Sequence, residues 1–366
     1  MRAMILKEFH ELRRDRRTVA MLVVMPIVML VIFGYAANFS VSSLRTAVVG
    51  PDADVLSVAM KVGAPLTSLS PGMGGTPLTT DEQAATDALW NLFDVVRTDV
   101  SVSGADAQAL VRDNVADVVF DTSTTPTTAY VDGSALFAAQ RADAALGRMG
   151  TLVDIQILYN PDLKTSWVMV PALIGLVLAF IGTIVTSIGL VRERAAGTLE
   201  QLAVMPLRPV DVVLGKIVPY LVITTVEMAI ITALGVTIFG VPFRGNVAVF
   251  ALGALLFLGV VLGIGVLVST VSQTPAQAIQ LAIMVTLPQV LLSGFIFPLE
   301  AITEAIRWIG YCLPMTYFVQ ISQGVMLRGA GIESLWLPFT VLAGMAVVIV
   351  TAAVLRFRRT LAGGRS

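Results

Sequence analysis

The sequence predicts an α-helical polytopic membrane protein with six transmembrane helices and a small α/β extracytoplasmic domain between spans 1 and 2. Three observations predict it. Charged residues make up 13% of the 366 and hydrophobic residues 56%, with a mean hydropathy of +0.84. A soluble domain carries roughly 25% charge, so too few charges remain to coat a water-soluble globule of this size. Six runs are apolar enough to cross a bilayer, which takes about 20 residues of helix. The basic residues crowd into three short segments that share one side of such a topology.

The same figures exclude other classes. A disordered chain needs the opposite composition. A net charge of −1 gives no electrostatic case for binding nucleic acid. The single cysteine, Cys312, excludes an internal disulfide framework, a cysteine zinc site and a CxxC redox pair. It reads as a small apolar side chain. The single histidine, His10, excludes a histidine-rich metal site. No catalytic or metal-ligating constellation stands out, and the scattered aspartates lack calcium-loop spacing and read as solvated surface.

The elements follow in order. Residues 1–18 form a cytoplasmic amphipathic N-terminal helix, with Ile5, Phe9 and Leu12 at i, i+4, i+7 among basic residues. Residues 19–39 form transmembrane helix 1. A secretory signal peptide over residues 1–36 competes with that reading, but the run is long for such a segment and five more spans need a consistent topology. Residues 40–166 form the extracytoplasmic α/β domain. In it Thr46–Gly50, Phe93–Val100, Val115–Asp121 and Thr128–Asp132 read as strands. Asp54–Val62, Asp81–Leu92 and Asp106–Asp113 read as helices, Pro65–Thr80 as a loop, and Ser134–Asn160 as one long helix leading into the second span.

Residues 167–355 hold transmembrane helices 2–6, at Trp167–Val191, Ile217–Gly240, Val247–Thr270, Ala278–Phe297 and Leu335–Leu355. Residues 356–366 form a basic cytoplasmic tail. Arg2, Lys7, Arg13, Arg14, Arg16 and Arg17, then Arg192, Arg194, Arg208 and Lys216, then Arg356, Arg358, Arg359 and Arg365 account for fourteen of the 24 basic residues. Residues 40–166 hold seven basic and fifteen acidic ones. Both termini are therefore expected to be cytoplasmic.

Two segments depart from plain spans and loops. After the second span, Gly197 is a natural helix C-cap. Thr198-Leu199-Glu200-Gln201 fits a capping box that starts a new helix, which Pro206 and Pro209 end. The result is a short cytoplasmic helix over 198–205, with an ordinary loop as the alternative. Residues 298–334 are half apolar. Leu299, Ile302, Ile306, Ile309 and Leu313 repeat at helical spacing, Pro314 breaks the run, and Met315–Leu327 forms a second apolar-faced helix. Such helices lie in the outer interface or re-enter it. Within the spans, Glu227 is the one acidic residue well inside the membrane, where an ionised carboxylate is costly and should face protein or water. Gly259 and Gly263 form a G-x-x-x-G spacing, which suits close helix approach between or within subunits.

These features together resemble the ABC-2 class of bacterial ABC export permeases, in the branch with an extracytoplasmic domain after the first span. The residues that carry the resemblance are Lys7-Glu8-Phe9 with Leu12–Arg17, Pro26 and Phe33–Ala36. They continue with Arg192-Glu193-Arg194, Gly197-Thr198-Leu199-Glu200-Gln201-Leu202 and Pro206, then Gly215-Lys216 with Pro219-Tyr220 and Phe239–Pro242. Leu291–Pro298 and Leu313–Phe318 complete the set. The resemblance implies the membrane-spanning permease subunit of an ABC-type exporter in the bacterial cytoplasmic (plasma or inner) membrane. Its partners would be cytoplasmic ABC ATPase subunits, a second permease subunit in a homo- or heterodimer, and membrane lipids, with a periplasmic or extracellular partner left open. ATPase coupling would fall to Glu193, Gly197, Thr198, Leu199, Glu200, Gln201 and Leu202. Gly215-Lys216 lacks the rest of a phosphate-binding loop, so no cofactor is expected on this chain, ATP and magnesium belonging to the partner ATPase, and no catalytic activity of its own. The competing functions are a proton-coupled secondary transporter using Glu227 and a membrane-anchored sensor or interaction protein.

Overall fold

The computed structural model of the chain describes residues 43–63, 89–147, 153–195 and 209–363, without the side chains of 193–195, 209–216, 300 and 357–363. The N-terminal amphipathic helix, the first span, the Pro65–Thr80 loop, most of the Asp81–Leu92 helix and the helix over 198–205 are expectations that lie outside the described residues.

Residues 44–158 build a five-stranded mixed sheet. Its strands are β1 (Leu44–Val49), β2 (Phe93–Asp99), β3 (Val118–Asp121), β4 (Thr127–Asp132) and β5 (Val153–Leu158), in the order β2-β1-β3-β4-β5. The β1–β2, β1–β3 and β4–β5 pairs are parallel, and β3–β4 is antiparallel. Parallel neighbours need crossovers, and the helices α1 (Ala53–Val62), α2 (Ala105–Arg112) and α3 (Leu136–Leu146) supply them. On one face Leu44, Val48 and Phe120 pack against Leu56 and Met60 of α1 and Ala139 and Leu146 of α3. On the other Ala47, Val49 and Val119 pack against Ala107 and Val111 of α2. Covered on both faces, β1 runs apolar without alternation over Ala47, Val48 and Val49, after Arg45 and Thr46.

The expectation of one helix over Ser134–Asn160 is corrected here. Helix α3 ends at Leu146, and Val153–Leu158 pairs in parallel with β4 as a fifth strand. The alanine-rich start favours helix. Beyond it, Val153, Ile155 and Ile157 alternate with Asp154 and Gln156, which is the period of a strand. The solvated-surface reading of the aspartates is also corrected. Asp117, Asp121 and Asp132 are buried, and each accepts bonds that offset the burial. Asp121, for example, accepts from the backbone of Gly104 and Ser123 and from the Ser123 hydroxyl.

The rest is helical. In order come α4 (Thr165–Ala195), α5 (Pro209–Phe239), α6 (Val247–Val271), α7 (Pro275–Leu292), α8 (Glu304–Tyr311), α9 (Pro314–Gln323) and α10 (Trp336–Gly363). Among the described residues five of these are long and apolar enough to cross a membrane: α4, α5, α6, α7 and α10. Helix α6 lies at the centre, packed against α4, α5 and α10. It carries no charged residue, and the Asn246 side chain caps it by accepting from the Ala248 amide at 2.7 Å. The ring of Phe318, on α9, stacks on Phe257 of α6 with centroids 4.6 Å apart. Gly175 of α4 makes room for that ring, since a Cβ there would come within 2.6 Å of it.

Several boundaries differ from those expected. Helix α7 runs from Pro275 to Leu292, not Ala278 to Phe297. Thr274 caps it by accepting from the Gln277 amide, and Gln277 accepts from the Gln273 amide. That reciprocal cap, with Pro275 in the first turn, fixes the start. At the other end Gly294, at φ +84°, turns the chain out of the helix. The apolar repeat from Leu299 is split, with a 3₁₀ turn at Leu299–Ala301 before α8. The second helix there, α9, ends at Gln323 and passes into a π turn over Gly324–Arg328. Helix α10 continues without a break to Gly363, through the start of the expected tail.

Candidate functional site

The sequence-predicted residues fall in two places. Glu193 lies in the last turn of α4, where the backbone alone is described, and Gly197, Thr198, Leu199, Glu200, Gln201 and Leu202 lie outside the described residues. The flanking helices are described. Helices α4 and α5 have 31 residues each, about 46 Å of helix, against about 30 Å of hydrocarbon. Both are therefore longer than the hydrocarbon is thick. Near the α4–α5 connection Leu190, Ile217, Leu262, Val266 and Ala353 form a buried cluster that ties α4 and α5 to α6 and α10. Gly189 of α4 lies against the Tyr220 hydroxyl of α5, with no room for a side chain.

Glu227 is half-buried on α5. Helical spacing sets Ile223, Glu227, Ile230, Leu234 and Ile238 on one stripe, at intervals of 4, 3, 4 and 4. All four apolar members are exposed. Thr224 and Met228, on the flank of that stripe, are buried. Only 17% of the most apolar stretch of α5 is buried within the chain, against 50% for α4 and α6. A carboxyl in the middle of an apolar stripe that the described residues leave uncovered is costly against lipid tails. The G-x-x-x-G pair divides. A Cβ on Gly263 would meet Ile349 of α10 at 2.8 Å, whereas nothing lies within 4 Å of Gly259. Gly263 therefore serves packing within the chain.

A second set of residues joins the α/β domain to one end of the helices, and sequence reasoning missed it. Arg328, in the π turn, is buried and donates from Nη1 to Oδ2 of the fully buried Asp132 at 3.4 Å. The Ser134 amide and hydroxyl donate to the other oxygen of Asp132 at 2.9 and 2.6 Å. Ser334 donates to Asp113 at 2.6 Å. Arg244, between α5 and α6, donates to the Leu327 carbonyl and lies over the Tyr159 ring, 5.8 Å from its centre. Burial first, and then the Asp132 carboxylate, push the Tyr159 phenol above its ordinary range. Asn160, fully buried, accepts from the Lys164 amide and donates to the Gly133 and Lys164 carbonyls. It locks the exit from β5 into α4. One signal was present in the sequence: Arg328 is a lone charge closing an apolar helical stretch.

A cavity of ≈ 150 Å³ lies at this junction, between α3, the N-terminal end of α4, the turn after α7, and α9. Its apolar wall includes Phe137, Val168, Phe295 and Val319, and its polar lining includes Arg45, Ser293, Gln323 and Arg328. Among the described residues no group of three or more histidine, cysteine, aspartate or glutamate side chains could hold a metal ion.

The five long apolar helices, with the mixed-sheet domain beside them, define a multi-pass membrane protein. The chain belongs to the family described as ABC-2 family transporter protein, whose pattern matches residues 16–355. It is 29% identical over 342 residues to a probable multidrug ABC transporter permease, YbhS, of Escherichia coli strain K12, covering 90% of this chain and 88% of that one. The probable multidrug ABC transporter permease YbhR of the same strain is 32% identical over 201 residues, 55% of each chain. The inner membrane transport permease YhhJ, also of that strain, is 33% identical over 216 residues, 57% of this chain and 56% of the relative.

Proposed function

We propose that this chain is the permease subunit of an ATP-driven exporter. It works as a dimer, driven by separate cytoplasmic ATPase subunits that hold ATP and magnesium, and has no catalytic site of its own. The observation that carries this is the stripe of α5 that the described residues leave uncovered, with Glu227 at its middle. A second permease subunit covering that stripe would bury the apolar residues and enclose the carboxyl in a protein-lined, water-accessible pathway. The names of the two probable multidrug permeases support efflux of hydrophobic small molecules. With Val19–Phe39 as a sixth span both termini share one side, and this reading makes that side the cytoplasm of a bacterial cell, with the α/β domain outside. The excess of basic residues beside the α4–α5 connection and after α10 supports that orientation.

The test is reconstitution with the ATPase subunits in proteoliposomes. Transport should require ATP and survive a protonophore. Glu227→Gln keeps the shape and removes the charge. The export reading expects ATP-dependent transport to persist in it. The alternative, proton-coupled transport through Glu227, is favoured by the position of the carboxyl and expects that variant to be inactive and the protonophore to abolish transport in the parent.

Coupling to the ATPase is assigned to the segment 198–205. Leu199 and Leu202 would be apolar anchors, Glu193 and Glu200 partners for basic residues, Gly197 the bend, and Thr198 and Gln201 the cap. The length of α4 and α5, greater than the hydrocarbon is thick, supports it, because the segment they bracket can then stand clear of the lipid. Leu202→Asp or Glu200→Lys should leave insertion intact and uncouple hydrolysis from export. Site-directed crosslinks should run from residues 197–203 to the ATPase. Crosslinks confined to the chain beyond Arg356 would sink the assignment.

A further inference from the structure

The junction cavity holds hydrogen-bonding capacity that the fold does not use. Ser293, 1% exposed, has a buried hydroxyl with no partner among the described residues, and so has the Nε of Arg328, 8% exposed. Leaving such groups unpaired costs stability, and both residues line the same cavity. Arg45, Gln323 and Ser134 of the wall are occupied, while Gln320 adds a half-buried amide to it. Arg45 binds both oxygens of Asp117 and the Asn114 side chain. Gln323 donates to the Val168 carbonyl, and Ser134 to Asp132. Asp117, already paired with Arg45, offers no free carboxylate for a cation.

The buried groups left without a partner are one guanidinium N–H and one hydroxyl. Both can donate. We propose that the cavity binds a small apolar molecule carrying one acidic group, the acid accepting from Arg328 and Ser293 and the body lying against Phe137, Val168, Phe295 and Val319. A volume of ≈ 150 Å³ admits a single ring. A charge-assisted bond to Arg328 selects acids over amides and amines. The site lies away from the α5 stripe, so binding is independent of the export reading and is measured without ATPase or transport.

The experiment uses the full chain in nanodiscs of zwitterionic lipid, with empty nanodiscs as the blank. Binding of 4-ethylbenzoate, 4-ethylbenzamide and 4-ethylbenzylamine is read by saturation-transfer NMR. The acid should bind at least tenfold more tightly than the amine. Ser293→Ala should weaken the acid about tenfold, the loss of one charge-assisted bond. Its thermal midpoint should be unchanged or raised, because the hydroxyl it removes is unpaired. Ala138→Leu, which narrows the cavity, should abolish binding of all three. Equal binding of acid and amine, acid binding undiminished in Ser293→Ala, or a signal that empty nanodiscs reproduce would each overturn the proposal.

Discussion

Asp132 and Arg328 are 196 residues apart in the chain and meet in a buried pair. No spacing rule links them, so the pair was invisible in the sequence, where Asp132 is one of fifteen acidic residues in a polar stretch. What the sequence does show is that each is out of character locally. The aspartate ends an apolar strand, and the arginine closes an apolar helix. A buried charge that loses its partner is left desolvated, at a cost of about 3–5 kcal/mol. Asp132→Asn and Arg328→Gln should each lower the thermal unfolding midpoint of the purified protein. The double variant, with no uncompensated charge, should lose less than the two single losses combined. Strict additivity in that cycle would mean that the two side chains do not interact. Glu227 was legible for the opposite reason, because one carboxyl in an apolar span stands out by composition alone.

Helices were legible where burial in lipid writes a long signal and their ends where capping chemistry is local. Helix α6 was found almost to the residue from its unbroken apolar run. Helix α7 begins three residues before its expected start because Thr274 and Gln277 form a reciprocal cap that an apolar count cannot register. Strand β5 was missed because its partner, β4, lies before an intervening helix and its alternation is only six residues long. Glycines in the helices show the same limit, since spacing gives their period but not which neighbour they face. A Cβ on Gly265 would meet Thr186 at 2.8 Å and the Thr183 carbonyl at 3.0 Å, and backbone cannot yield. Gly265→Val should therefore push α4 from α6 and lower stability by several kcal/mol, in the range of overpacked cores or above. Gly259→Leu should leave the subunit stable. If it also splits the dimer, seen as a halved mass in mild detergent, then Gly259 belongs to the subunit interface.

At the scale of the molecule, hydropathy carried the five described spans, and the way the domain is attached had to come from the structure. The termini of the described helices sort cleanly. Arg192 and Arg356 lie near one end of the bundle, and Arg244, Ser293, Arg328 and Ser334 near the end that meets the sheet. Cys312, the single cysteine, is exposed just after α8, on the sheet side. A membrane-impermeant maleimide should therefore label Cys312 in intact spheroplasts. A cysteine placed at Arg356 in a Cys312→Ser background should be labelled only after permeabilisation. The reverse pattern would invert the orientation. The sheet, moreover, is not tethered by its covalent connections alone. Arg328, Ser334 and Arg244 reach it from the turn after α9, the approach to α10 and the α5–α6 connection, and Asn160 clasps its exit. A body held at four such points cannot swing without dragging the helices behind those contacts. The α/β domain is thus a handle on the bundle: a binder raised against the sheet grips the helices too, and a movement of the helices is readable at the domain's surface.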